Sequence, residues 1–202
     1  MKKLILKTIA ITLASIIGAS LLVFGIFALF FPAPLARFFE GSGGYSASIH
    51  FYERQYKKTG DIDDLAEFVV KIDEDKDSDL AEEYFYKLIT HEDFSNFCFE
   101  QDLLNLSHIS TKEFYMGSYA SILVMNGKFE DALDFSREFV NDNGYTEYNP
   151  YSIIIMKNGK DLDLGQLRIF ENDITKHVIH YSNDDLAYQD LQGVRQLIKN
   201  LT

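Results

Sequence analysis

Residues 8–31 read TIAITLASIIGASLLVFGIFALFF and carry no ionisable side chain. As an α-helix, this stretch would extend for about 36 Å at ~1.5 Å per residue. About 20 predominantly apolar residues are enough to cross the hydrocarbon core of a bilayer. The stretch therefore predicts one transmembrane helix at residues 8–31, which fixes the chain to membrane lipid.

A cleaved secretory signal is the alternative interpretation of this stretch. Signal peptides have an apolar core of about 7–15 residues, followed by small residues at the cleavage site. Here the core is longer, and Phe30, Phe31 and Pro32 stand where small residues belong. We therefore expect the helix to be retained as an anchor.

The basic residues around the predicted helix indicate its orientation. Lys2, Lys3 and Lys7 precede it, whereas only Arg37 follows it closely. Because lysine-rich ends stay in the cytoplasm, we predict a cytoplasmic end at residues 1–7 and an extracytoplasmic domain at residues 45–202. Residues 32–44 are predicted to be a juxtamembrane linker with a flexible hinge at Gly41-Ser42-Gly43-Gly44.

Small residues also lie along one face of the predicted transmembrane helix. They are Ala14, Gly18, Gly25 and Ala28. Small side chains let two helix backbones approach closely in a membrane, so this face predicts helix pairing, as in an accessory subunit of a membrane complex. Ordinary composition is the alternative, because Gly and Ala are common in transmembrane helices.

The chain after the predicted anchor is strongly acidic. Three of its 19 basic residues precede the anchor, which leaves 16 basic residues against all 31 acidic ones. Nucleic acid requires a basic surface, so we expect no nucleic-acid partner. Cys98 is the only cysteine; an intrachain disulfide is therefore excluded, and the neighbouring Phe97 and Phe99 predict a buried thiol.

The domain pattern is helical nearly throughout, which predicts an all-α fold. Tyr45, Ile49, Tyr52 and Tyr56 follow helical spacing, Gly60 ends that helix and Asp61 can cap the next. Two helices joined by so short a turn form a hairpin. A closing helix is predicted from about Asp184 to Lys199. Residues 153–156 read IIIM, which also suits a strand, so both alternatives stay open there.

The third predicted hairpin is the most regular, and its central residues 119–133 read YASILVMNGKFEDAL. This segment resembles the tetratricopeptide repeat family. The family's small residues correspond to Ala120 and Ala132, its turn glycine to Gly127 and its following aromatic residue to Phe129. Gly60 and Gly127 lie 67 residues apart, about twice the ~34-residue period of that family.

The resemblance covers about residues 45–175 and is specific only in this hairpin. The predicted hairpin between the first and the third lacks the turn glycine, and no hairpin has the family's closing proline at the right place. The resemblance implies an antiparallel helical-hairpin array whose first helices line a concave groove for peptides. Basic side chains in such a groove bind carboxylates.

Basic side chains do lie on one side of the first predicted helix after the linker. The peptide-groove candidates are His50, Arg54, Lys57 and Lys58, with Met125, Phe114 and Ser121 as extensions of the groove. This set predicts a partner protein or peptide with an acidic segment or a free chain terminus. The alternative is a solvated face, or one that contacts lipid headgroups.

Two residue patterns were considered as metal sites. Asp73, Asp75, Asp77 and Asp79 alternate as in a calcium loop, but Ser78 stands in place of the required glycine and Tyr84 in place of the closing glutamate. We interpret the run as a helix-capping connector. His177 and His180 lie three residues apart, whereas a zinc site needs further ligands.

These patterns together favour an interaction protein over an enzyme. The sequence has no His-Glu-x-x-His or Gly-x-Ser-x-Gly motif, so we expect no catalysis, metal or cofactor. The first hypothesis is a membrane-anchored adaptor or scaffold that presents a helical-repeat domain outside the cytoplasm. The alternatives are a cell-envelope hydrolase with a metal near His177 and His180, or an accessory subunit of a membrane complex.

Overall fold

Every regular element that the structure describes is an α-helix, which confirms the all-α prediction. The computed structural model describes residues 2–75, 78–104, 110–180 and 185–202. Within these ranges the chain divides into two compact units, Met1–Asp75 and Lys76–Thr202. The first contains α1 (Lys2–Phe30), α2 (Pro32–Gly41), α3 (Tyr45–Thr59) and α4 (Ile62–Asp75).

The second unit contains seven helices within its described residues. They are α5 (Ser78–Ile89), α6 (Phe94–Leu104), α7 (Thr111–Met125), α8 (Phe129–Asn143), α9 (Pro150–Asn158), α10 (Leu164–His180) and α11 (Asp185–Leu201).

Helix α1 matches the apolar stretch that opens the chain. Its segment Lys7–Phe30 has a mean hydropathy of 2.5, and none of it is buried within the structure. Length and composition thus suit a membrane span, while the crossing itself and its direction stay predictions. Phe31, predicted as the last residue of the span, lies between α1 and α2.

Most of the juxtamembrane linker predicted at residues 32–44 is helical, as α2. Pro32 and Pro34 lie in its first turn, where backbone N–H groups have no helical partner and proline is tolerated. Ala36 is buried, and α2 packs against α3. The turn between these helices covers Ser42 to Gly44 and contains Gly43 at φ 81°.

Helices α3 and α4 pack against each other around the predicted turn. Gly60 ends α3 at φ 68°, and the Asp61 side chain accepts a hydrogen bond of 2.9 Å from the backbone N–H of Asp63, as predicted for a cap. Ile49 and Tyr52 are buried, whereas Tyr45 is exposed. The predicted apolar stripe of α3 therefore begins one turn later.

Helix α7 is the centre of the second unit, because it contacts α5, α6, α8 and α9. Its Tyr115 ring meets an aromatic cluster formed by Phe85, Phe94, Phe97 and Phe114. Cys98 on α6 is buried, as predicted. Burial raises the pKa of its thiol to about 12, so the thiol stays protonated at neutral pH.

Helix α5 is joined by a polar contact to the turn between α7 and α8. The Glu82 carboxylate accepts hydrogen bonds from Lys128 Nζ at 2.5 Å and from Asn126 Nδ2 at 2.7 Å. Burial raises the pKa of Glu82, but the bonds from Lys128 and Asn126 outweigh it, and the net pKa is lowered. The side chain of Asp79, in the run predicted to cap this helix, lies outside the described residues.

The two Asn-Gly-Lys turns differ in why they need glycine. Gly127 adopts φ 74°, a left-handed conformation that glycine adopts without strain. Gly159 has a right-handed conformation, with φ −56°. A Cβ there would lie 2.4 Å from the Ile155 carbonyl oxygen and 2.8 Å from Leu197 Cδ1. Close packing thus explains the second glycine.

Residues 153–156 are helical in α9, so the strand alternative is wrong. Asn149 caps this helix by accepting from the N–H groups of Tyr151 and Ser152, and Pro150 occupies its first turn. Ile153 and Ile154 are buried. The closing helix is present as α11, although Asp184 lies outside the described residues. The tetratricopeptide resemblance stays a prediction, with Ala120, Phe129 and Ala132 all buried.

Candidate functional site

An open cavity of about 440 Å³ lies between α8 and α10 in the second unit. Its lining combines basic, aromatic and aliphatic side chains with one carboxylate. The lining residues are Arg137, Val140, Asn141, Tyr145, Tyr151, Asp173, Ile174, Lys176, His177 and His180. The volume falls within the range of about 300–1,000 Å³ that small-ligand pockets occupy.

Helical spacing explains how α10 presents most of the polar lining. Asp173, Lys176, His177 and His180 follow one another at intervals of three, one and three residues, which places them on one face of a helix. Arg137 comes from α8, on the opposite wall. The packing of α8 and α10 is thus sufficient to bring Arg137 and Lys176, the two permanent cations of the lining, into the same cavity.

One buried carboxylate holds the two permanent cations of the cavity. Asp173, whose side chain is only 9% exposed, accepts from Arg137 Nε at 2.8 Å and lies 3.3 Å from Lys176 Nζ. Arg137 also donates to Asp134 at 2.8 Å. Lys176 is 68% exposed, so its ammonium group is accessible to a ligand. The lining therefore has two permanent cations and two histidines against one carboxylate.

The aromatic wall is fixed by Asp190 of α11. Tyr145 donates a hydrogen bond of 2.7 Å to Asp190 Oδ2, and the Ser152 hydroxyl donates to the same oxygen. The Tyr145 ring lies 4.8 Å from that of His177 and is parallel to that of Tyr151 at 6.4 Å. Burial raises the pKa of both tyrosines, so both phenols are neutral at physiological pH.

This arrangement suits an anionic group held between a cationic and an aromatic wall. Arg and Lys make charge-assisted hydrogen bonds to carboxylates that are about twice as strong as neutral ones. The half-buried ring of Tyr145 supplies apolar area next to the charge.

His177 and His180, the metal ligands of the alternative hydrolase hypothesis, both line this cavity. No group of three or more His, Cys, Asp or Glu side chains in the described ranges is placed to hold a metal ion. The calcium-like run from Asp73 to Asp79 has side chains that lie outside the described residues.

Four of the predicted peptide-groove residues share the exposed side of α3, namely His50, Arg54, Lys57 and Lys58. Lys57 Nζ lies 2.5 Å from Glu53 Oε1 on the same helix. Lys58 Nζ donates a hydrogen bond of 2.8 Å to the backbone carbonyl of Phe30.

The remaining predicted groove residues belong to the second unit. Met125 and Phe114 are exposed there, whereas Ser121 is buried and its hydroxyl donates a hydrogen bond of 2.7 Å to Asn158 Oδ1. The predicted set is therefore divided between the two units, and Ser121 is a core residue.

The predicted pairing face of α1 is accessible along part of its length. Ala14 and Gly18 are exposed, and Gly25 and Ala28 are half-buried. A Cβ added at Gly18 or Gly25 would meet no atom within 4 Å. Helix pairing at this face stays a prediction.

Arg137, Tyr145, Tyr151 and Lys176 were not identified from the sequence as site residues. The spacing of Asp173, Lys176, His177 and His180 is the one signal that could have indicated a polar face on α10. The rest of the lining comes from separate elements and has no local signature.

No protein-family model matches this chain, and no curated protein matches it either.

Proposed function

We propose that this protein is a membrane-anchored adaptor that binds an acidic segment of another protein in the cavity between α8 and α10. The observation that carries the proposal is the pair of cations at this cavity, Arg137 and Lys176, in a chain whose net charge is −12. An acidic surface repels an acidic ligand in general. Asp173 and Asp134 already pair with Arg137, so the exposed ammonium group of Lys176 is the cation that the ligand would contact here.

The lining also favours a peptide over a free inorganic anion. Tyr145 and Val140 are half-buried and offer apolar area in the same cavity as the cations, and a peptide side chain or backbone can cover that area. A free anion would leave it exposed to water.

The apolar N-terminal helix supplies the other half of the proposed function. Anchoring in a membrane raises the effective concentration of the cavity for partners in the same membrane, so weak contacts suffice. The charge distribution around α1 supports a location of the second unit outside the cytoplasm. The proposed partner is therefore an extracytoplasmic or membrane protein with a run of Asp or Glu.

Binding of matched peptides tests the proposal. The full-length chain in mild detergent is titrated with a fluorescent Glu-rich peptide and with the same peptide carrying Gln at each Glu. We expect the Glu peptide to bind more tightly, and Lys176→Glu to weaken it about tenfold or more, because one charge-assisted contact contributes roughly 1.5–3 kcal/mol.

Lys87→Glu is the matched control for this charge reversal. Lys87 on α5 also pairs with a carboxylate of its own helix, Glu83 at 2.5 Å, and does not line the cavity. The proposal is refuted if the Glu and Gln peptides bind equally, or if the two charge reversals weaken binding to the same extent.

A further inference from the structure

The last turns of α1 contact α2 and α3 on one side. The Phe39 ring of α2 lies 6.3 Å from that of Phe24 on α1 and stacks on Phe51 of α3 at 5.5 Å. Phe51 also meets Phe24 edge-on at 6.5 Å. Leu35 of α2 shares an apolar groove with α1 residues from Ala19 to Phe27. Helix α2 therefore folds back along α1, and α3 runs beside it.

The C-terminal end of α1 is level with Lys58. Lys58 Nζ donates 2.8 Å to the carbonyl of Phe30, where the helix dipole favours a cation and an unpaired carbonyl needs a donor. Phe51 and Lys58 are about 10 Å apart along α3, and Phe24 and Phe30 about 9 Å apart along α1, at ~1.5 Å per residue. Helix α3 thus runs alongside the final turns of α1 in the same direction.

These contacts limit how deep the end of α1 can lie in a membrane. An ammonium group is costly in hydrocarbon, so the Phe30 carbonyl that binds Lys58 belongs in the polar layer. The length of the apolar stretch independently places the end of α1 outside the hydrocarbon core. The apolar stretch of about 36 Å exceeds a hydrocarbon core of about 30 Å by roughly four residues. Counted from Lys7, the outer boundary falls near Phe27.

The surface at this boundary mixes exposed aromatic and basic side chains. Phe38 on α2 is 66% exposed, and its neighbour Arg37 is also exposed. On α3, Arg54 lies three residues after Phe51 and four before Lys58, so all three share the side that faces α1. Aromatic rings with long cations are typical of the layer between hydrocarbon and headgroups.

We propose that the juxtamembrane collar, defined as α2 together with Phe51, Arg54 and Lys58, is seated at the boundary between the acyl chains and the phospholipid headgroups. This rests on the proposed anchoring by α1. Phe38 enters the boundary between acyl chains and headgroups, while Arg37 and Arg54 bind lipid phosphates. Because this side of α3 faces the anchor, a soluble peptide that occupied it would have to lie within the headgroup layer.

Spin labels on the full-length chain in vesicles of phosphatidylcholine and phosphatidylglycerol test the collar. Single cysteines replace Phe38, Ile17 or Asp63 in a Cys98→Ser background. All three positions are exposed in the first unit. We expect the label at Phe38 to give the largest loss of lipid phosphorus-31 signal. The label at Ile17 should be accessible to oxygen only, and that at Asp63 to aqueous nickel only.

The other outcomes show whether the collar proposal, the anchoring by α1 or both are wrong. A label at Phe38 that behaves like that at Asp63, with Ile17 in lipid, overturns the collar and leaves the anchor intact. A label at Ile17 accessible to nickel overturns both. Dipolar broadening between labels at Phe38 assigns the face to a second copy, and shielding by the Glu-rich peptide assigns it to a peptide. Either result overturns the proposal.

Discussion

Gly117 on α7 is the point at which the packing of the second unit is most sensitive to one added carbon. A Cβ at this position would lie 2.5 Å from Ile153 Cγ1 and 2.9 Å from Ile153 Cβ on α9. Carbon atoms pack favourably at about 3.5–4.0 Å. Ile153 has little freedom to move aside, because a β-branched side chain in a helix has one strongly preferred χ1 rotamer. Gly117→Ala therefore forces α7 and α9 apart by about 1 Å.

Two opposing effects set the magnitude of this change. Overpacking of a core costs roughly 1–3 kcal/mol, whereas replacing glycine by alanine inside a helix gains about 0.5–1 kcal/mol. Gly193 in α11 isolates the second effect, because a Cβ there meets no atom within 4 Å. We expect Gly193→Ala to stabilise the unit. Gly117→Ala should be less stable than Gly193→Ala by roughly 1–3 kcal/mol, the overpacking contribution alone.

Urea unfolding followed by tyrosine fluorescence measures this difference in the detergent-solubilised chain. The chain has 12 tyrosines and no tryptophan, and every tyrosine follows α1, so the anchor does not contribute to the signal. In an Ile153→Ala background, Gly117→Ala should lower the free energy of unfolding by less, because Ile153 Cγ1, the atom closest to the added Cβ, is absent. Equal free energies of unfolding for the two alanine variants would refute the close α7–α9 contact.

Two further predictions concern titratable groups of the second unit. The net pKa of Glu82 is lowered below its ordinary value of 4.5, so its contacts stabilise the fold above that pH, and this contribution is lost as the pH falls through the folded pKa. Glu82→Gln should therefore reduce stability at neutral pH and flatten its loss under acid, which thermal unfolding from pH 7 to pH 3 measures; an unchanged slope would contradict this. Cys98 is only 3% exposed, so maleimide should modify it only after unfolding, and fast labelling of the native chain would contradict its burial.

Local patterns in the chain were enough to predict several features of the first and second units. The uncharged opening stretch predicts α1, since length and composition alone make a long apolar helix. Gly60 and Gly127 both end helices with positive φ, because each turn depends on a few adjacent residues. The linker prediction for residues 32–44 rested on a glycine-rich hinge and did not anticipate helix α2, whose first turn tolerates Pro32 and Pro34.

The candidate site, in contrast, depends on contacts between residues far apart in the chain. Arg137 reaches Asp173 across 36 positions, and Tyr145 reaches Asp190 across 45. No periodicity connects such pairs, because the angle and distance between packed helices decide which side chains meet. Hydrophobic spacing thus predicts that helices form and which stripe they bury. The tertiary packing of α8, α9, α10 and α11 alone decides that their polar residues converge on one cavity.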